Sequence, residues 1–313
     1  MKWALLVTLA VLALVASVAV GPAAVPLGEL LRSDIVWNLR APRALLAFLV
    51  GGSLGIAGAG LQALVRNPLA DPFLLGLSGG AGLGAVLAIA LHLSGPWALP
   101  LAAFAGALAA MALVYRLGLA GGAELDPRAL ILGGVAVGAF AGAVTTAIVS
   151  LASAADLRNA LLWLWGGLSG ASWDGVLVVC VYFPLPIALL LAAARPLDLL
   201  ALGEEPARYL GADVARVRRQ VYVAASLLTA AAVAVSGVVG FVGLIVPHAM
   251  RALWGHQHRL LLPAAFLGGG ILLTLADTVA RIAVAPRELP VGIVTALVGV
   301  PVFAVLMRRW TAS

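Results

Sequence analysis

Few side chains in this sequence could do chemistry, and many of them stand in one stretch. ALGEEPARYLGADVARVRRQ, residues 201–220, holds Glu204, Glu205, Arg208, Asp213, Arg216, Arg218 and Arg219, in a chain that is 63% hydrophobic and 10% charged overall. Its first half, from Leu202 to Gly211, reads as a short helix. Gly203 precedes it, acids fill the first turn, Arg208 follows, Tyr209 and Leu210 close it and Gly211 stops it. Glu204 and Arg208 stand at i,i+4 and Glu205 and Arg208 at i,i+3, and either spacing supports a helix. A loop that only set topology would need the arginines alone. A short helix between glycines suggests instead a rigid knob shaped for a partner's groove.

The other reactive groups are sparse. Asp277 is the one acid well inside an apolar run, and Arg281 four residues later makes a helical ion pair the simpler reading than a proton-carrying site. His248 follows Pro247 at a break, while His256 and His258 share a short loop. With a basic flank and no acid close in sequence, that loop reads as solvated, and no metal site is expected. Cys180, the single cysteine, reads as a packed thiol and excludes internal disulfides. Lys2 is the only lysine, so no GxxxxGK[ST] nucleotide loop exists. No Ser-His-Asp or paired-carboxylate arrangement occurs, so catalysis by this chain alone is not expected.

The elements that must carry these groups are membrane helices. Mean hydropathy is +1.12 over 313 residues, and charge-free runs long enough to cross about 30 Å of hydrocarbon recur from end to end. The predicted fold is all-α and polytopic, with about ten spans: 3–20, 44–65, 73–93, 97–117, 129–152, 175–194, 221–239, a short 242–254, 260–284 and 291–307. The first reads as a retained span rather than a signal peptide, because its apolar run is long and no clear cleavage site follows. Segment 156–168, with Trp163 and Trp165, is too short to cross and reads as interfacial. With the N-terminus inside, Lys2 and twelve arginines fall on the cytoplasmic side. Only Arg32, Arg40, Arg43, Arg158, Arg281 and Arg287 fall outside, so the positive-inside rule supports cytoplasmic termini. Glycines spaced by four (Gly51/Gly55, Gly76/Gly80/Gly84, Gly134/Gly138/Gly142) read as tight packing faces. Gly58 and Pro68 match Gly237 and Pro247 at an offset of 179, which suggests two weakly related helical bundles.

The segments NPLADP (67–72), LGEEPARYLG (202–211), GFVGLIVPH (240–248) and ELPVGIVTALVGVPVF (288–303), together with 40–85 and 240–309 as wholes, resemble the iron-chelate, haem and cobalamin permease family. These are membrane subunits of type II ABC importers, and the likeness covers essentially the whole chain, implying one permease domain over 1–313. The resemblance implies a homodimer with a path along its axis, two separate ATPase subunits that use ATP and Mg, and a periplasmic or lipid-anchored binding protein. It also implies that this chain holds no cofactor and binds no nucleic acid, and that it resides in the bacterial inner membrane.

Residue by residue, the resemblance makes 201–211 the cytoplasmic coupling helices, with Leu202, Gly203, Glu204, Glu205, Arg208, Tyr209, Leu210 and Gly211 meeting the ATPase. Glu204, Glu205 and Arg208 supply charge, and Tyr209 and Leu210 become buried contacts. Arg40, Arg43 and Arg281 match positions that face glutamates of the binding protein, against ordinary interfacial anchoring. Asn67 and Leu69 match a cytoplasmic gate, while Asn67 also suits a simple turn before Pro68. Asp126 falls at the second gate loop, where Leu125 and Asp126 replace small hydroxyl residues. The cargo stays open among ferric siderophores, haem and cobalamin, with ferric chelates first.

Overall fold

A computed structural model describes residues 1–310 except 24, 31, 120, 121 and 123. Helices make the architecture: α1 (Lys2–Ala19), α2 (Ala41–Leu64), α3 (Leu77–Ala90), α4 (Ala98–Gly118), α5 (Pro127–Ser150), α6 (Ala154–Leu164) and α7 (Trp173–Tyr182). They continue with α8 (Pro184–Ala192), α9 (Ala194–Ala201), α10 (Glu204–Tyr209), α11 (Val214–Ser236), α12 (Val242–Trp254), α13 (His258–Ile282) and α14 (Val291–Trp310). Among the described residues there is no strand, only an isolated bridge between Val284 and Arg287.

Helix ends follow local chemistry. Pro42, Pro127 and Pro184 occupy first turns, where a missing N–H costs nothing. Asp126, Ser153, Ser172 and Asp213 each accept a hydrogen bond from a backbone amide of the helix they precede. A π-helical stretch, Ile35–Arg40, runs straight into α2, so the second apolar segment covers Ile35–Leu64 and begins well before the expected 44–65.

Each of the ten expected spans falls on a helix, with 175–194 divided into α7 and α8. Among the described residues, seven segments are long and apolar enough to cross a membrane. The other three, α3 with 14 residues, α12 with 13 and the apolar part of α14 at Val291–Val305, are shorter. Length and composition by themselves therefore account for seven of the ten expected crossings among the described residues. Segment 156–168 overlaps α6, an 11-residue helix that begins at Ala154 and packs against α3 and α5.

The centre is built from α2, α11 and α13. Of their apolar windows 83%, 72% and 61% is buried, against 22% for α1 and for α4. Outer helices keep large apolar side chains exposed, as a surface in contact with lipid tails requires. Cys180 lies on such an outward face of α7, which corrects the expectation of a packed thiol.

The spaced glycines let backbones touch. A methyl group added to Gly51 or Gly55 would collide with the backbone carbonyls of Gly269 or Ala265 on α13, and one on Gly84 with that of Ala102 on α4. Gly142 departs from the pattern, since nothing lies within 4 Å of the space its side chain would fill. The offset of 179 has no local counterpart. Gly58 is inside α2 whereas Gly237 terminates α11 at φ +65, and Pro68 lies in a loop whereas Pro247 is inside α12.

The helices run between two poles, and the polar contacts sort accordingly. At one pole Lys2 donates to Leu253 O at 2.8 Å, Trp3 packs edge-on against Trp254, and the ends of α2, α9, α11 and α13 meet. At the other, Arg281 donates to Ser17 O at 2.9 Å and Trp173 to Trp37 O at 2.9 Å. Side chains of Arg308 and Arg309 lie outside the described residues.

Candidate functional site

The charged stretch folds as anticipated into a short helix between glycines, α10, with Gly203 at φ +122 and Gly211 at φ +85, conformations that glycine adopts without strain. Ala207 on its inner face packs with Leu200 and Val214 in a small buried cluster. Outward, Tyr209 is 91% exposed, Leu202 64% and Leu210 59%. Three large apolar side chains on one rigid projection form a surface ready for a partner.

The pairing of its charges differs from the expected i,i+4 arrangement. Glu204 Oε1 accepts from Arg66 Nη2 at 2.7 Å and also from Arg218, and Arg208 Nη2 donates to Glu124 Oε2 at 2.6 Å. Glu205 is exposed and forms no ion pair among the described residues. Tertiary partners win because a six-residue helix gains little from internal pairs, while α2, α11 and the turn before α5 bring guanidinium and carboxylate within direct reach. As a result α10 is tied to three separate segments. Arg66 and Glu124 were not singled out in the sequence, and only their place in loops on the same side hinted at them.

Asn67 and Leu69 make a turn: Asn67 Oδ1 accepts from Leu69 N at 2.9 Å, and Asn67 N donates to Gln62 O at 3.1 Å. Asp71 caps the following turn through Phe73 N at 2.8 Å. Burial pushes its carboxyl up to about 6, against the pull of that hydrogen bond. Asp126 caps α5, accepting from Arg128 N at 2.8 Å. Turn and cap chemistry thus accounts for the local geometry of Asn67, Leu69 and Asp126, and no hydrogen bond joins Asp126 to Asn67 among the described residues.

Arg40, Arg43 and Arg281 do converge, around a cavity of about 370 Å³ at the other pole that Glu288 also lines. They are only 4%, 9% and 3% exposed, however, and each has internal partners. Arg40 donates to Ala19 O at 2.8 Å and to Ala23 O. Arg43 holds Asp277 through Nε at 3.0 Å and Nη2 at 2.9 Å, and Glu288 through Nη1 at 2.8 Å. Arg281 Nε lies 3.2 Å from Asp277 Oδ2, near enough for ion pairing though not aligned as a hydrogen bond. The expected Asp277–Arg281 pair is present, then, and Arg43 joins it. Asp277 is fully buried between two guanidinium groups, which removes the one intramembrane acid that an ion-coupled carrier could have used. Glu288 heads the string ELPVGIVTALVGVPVF, yet nothing in the sequence signalled that it pairs with Arg43.

The histidine loop also differs from expectation. His256 is exposed, but His258 is buried, with Nδ1 2.6 Å from Asp198 Oδ1 and its backbone N donating to the same oxygen at 2.8 Å. Asp198 is sixty residues away in sequence, so spacing gave no sign of it. No group of three metal-ligating side chains occurs among the described residues.

Comparison with known proteins gives a consistent result. The FecCD transport family matches residues 8–309. A cobalamin import permease of Halobacterium salinarum is 47% identical over 274 residues, 88% of this chain and 73% of the relative. A hemin transport permease of Yersinia pestis is 42% identical over 287 residues, 88% of this chain and 85% of the relative. A solved inward-facing transporter of the metal-chelate ABC type shares 32% identity and a TM-score of 0.89, over 97% of both chains.

Proposed function

The chain belongs to the FecCD transport family, and from that membership and the geometry of its two poles we propose how it works. It is a membrane-embedded permease of a type II ABC importer. In the proposal two copies form a homodimer around a shared path, and two separate ATPase subunits, which hydrolyse ATP with Mg, seat on the pole that carries residues 201–211. That pole, with both chain termini, faces the cytoplasm. A periplasmic or lipid-anchored binding protein delivers cargo at the arginine pole.

The observation that carries this reading is the α10 projection, which presents Leu202, Tyr209 and Leu210 while its ion pairs reach α2, α11 and the turn before α5. A partner that pushes it moves three segments together, as a switch between two packed states requires. Asn67, Leu69 and Asp126 then act as gate elements, since the turn and the cap lie directly beside the tethered segments. Docking through Arg40, Arg43 and Arg281 works by exchange: the incoming carboxylate replaces Glu288, 35% exposed, on the fork of Arg43.

Tyr209→Ala tests the coupling contact. It is expected to weaken association with the ATPase subunit by about 2 kcal/mol, roughly 30-fold, and to lower ATP-driven uptake into proteoliposomes while the fold persists. Unchanged association and uptake would remove the coupling role.

For the cargo, we propose a metal chelate. Relatives named for cobalamin and haemin import support those two at least as well as the ferric siderophores that the sequence alone put first. Proteoliposomes with the ATPase and binding protein should accumulate one of labelled cyanocobalamin, haemin or a ferric siderophore, and only with ATP. Uptake of none of the three, or uptake by the permease alone, would overturn the proposal.

A further inference from the structure

A cavity of about 530 Å³ opens between the ends of α2 and α12, the last residue of α9 and the start of α13. Five basic side chains line it, Arg66, His248, Arg251, His256 and His258, and no carboxylate among the described residues does. Gln62 positions Arg251: its Oε1 accepts from Nη1 at 2.7 Å while its Nε2 lies within reach of the carbonyls of Ala70, Gly243 and Leu244. The remaining nitrogens of Arg251 have no protein partner among the described residues. His258 is 5% exposed and its Nε2 is buried without a partner. The neighbouring acids are already engaged, Glu204 by Arg66 and Arg218, and Asp198 by His258. Three arginines therefore face two carboxylates before any histidine takes up a proton.

A roomy recess lined by two arginines, one of them a pre-aimed guanidinium with free N–H groups, is short of acceptors, and an anion supplies them. We propose that this cavity binds a phosphate-class oxyanion. Arg251 offers a planar fork to two of its oxygens, and Arg66 and the exposed His256 complete the cradle. The donor set does not suit a metal, because the three lining histidines are not placed to share one ion, and no such group of three occurs among the described residues. Occupancy has a mechanical consequence. Arg66 is the residue that bonds Glu204 on α10, so an oxyanion that recruits Arg66 loosens one of the ties holding α10. That consequence rests on the coupling role of α10, whereas the binding itself does not.

The oxyanion could be a free phosphate group or the headgroup of an anionic phospholipid, and one experiment separates them. The full chain is placed in nanodiscs of phosphatidylcholine, with or without phosphatidylglycerol, and titrated with inorganic phosphate and pyrophosphate while thermal unfolding is followed. In the neutral lipid, saturable stabilisation is expected. It should weaken about tenfold in Arg251→Gln and about threefold in His256→Gln, whose exposed side chain does not support the fold. It should be unchanged in Arg219→Gln, which removes the same charge from an exposed site outside the cavity. If phosphatidylglycerol abolishes the phosphate response and is retained in native mass spectra only when Arg251 is present, the source is the headgroup. If phosphate still binds in that lipid, the source is free phosphate. Absence of any phosphate or phosphatidylglycerol binding that depends on Arg251 and His256 overturns the proposal.

Discussion

Asp277→Asn is expected to destabilise the permease by about 3–5 kcal/mol, because it leaves buried guanidinium charge without its counter-ion. The amide preserves size and one acceptor, so the loss isolates charge from packing. Arg43 would retain Glu288, but Arg281 would keep only the neutral oxygens of Ser17 and Thr278. Thermal unfolding in detergent, followed by loss of the monodisperse species, should show a fall on the order of 10 °C. Replacing Asp277, Arg43 and Arg281 together by leucine removes all three charges and should recover much of that loss. If Asp277→Asn melts within about 2 °C of the parent, the buried triad does not hold α2 to α13 in the way its geometry indicates. The same variant informs docking. An Arg43 released from Asp277 but still bound to Glu288 should change its affinity for the binding protein less than the protein's stability changes.

Gly51→Val and Gly269→Val should each be at least as damaging. These residues face one another where α2 crosses α13, and a side chain on either runs into the backbone carbonyl of the other. A flexible side chain can turn away from such a clash, but a backbone carbonyl fixed in a helix cannot, so the helices must separate. Ordinary overpacking costs about 1–3 kcal/mol, and separating two of the three central helices exposes buried surface well beyond one overpacked site. Loss of the folded species on expression is the expected result. Gly142→Ala is the matching control, since open space surrounds that position and helix propensity favours alanine by about 1 kcal/mol. Normal yield of both valine variants would show that the α2–α13 seam is looser than described.

Residues whose behaviour depends on near neighbours in sequence were legible from the sequence. Apolar runs fixed where helices form, because an apolar helix needs only its own length and composition to be recognised. The α10 helix was found from its glycines and charges, as were the packing glycines of α2 and the Asp277–Arg281 spacing. The family was also within reach, since NPLADP, LGEEPARYLG and ELPVGIVTALVGVPVF are local strings.

What required the tertiary structure was the choice of partner for every charge. Glu204 turns to Arg66 and Arg218 rather than to Arg208, Arg43 takes Asp277 and Glu288, and His258 takes Asp198. The physical reason is one of range. A buried charge takes whatever opposite charge can be brought to about 3 Å in a place poor in water, and packing decides which residues those are without regard to their separation along the chain. Three arginines expected on an open surface are enclosed for that reason, and the cationic cavity beside α10 could not be seen until α2, α12 and α13 were placed side by side.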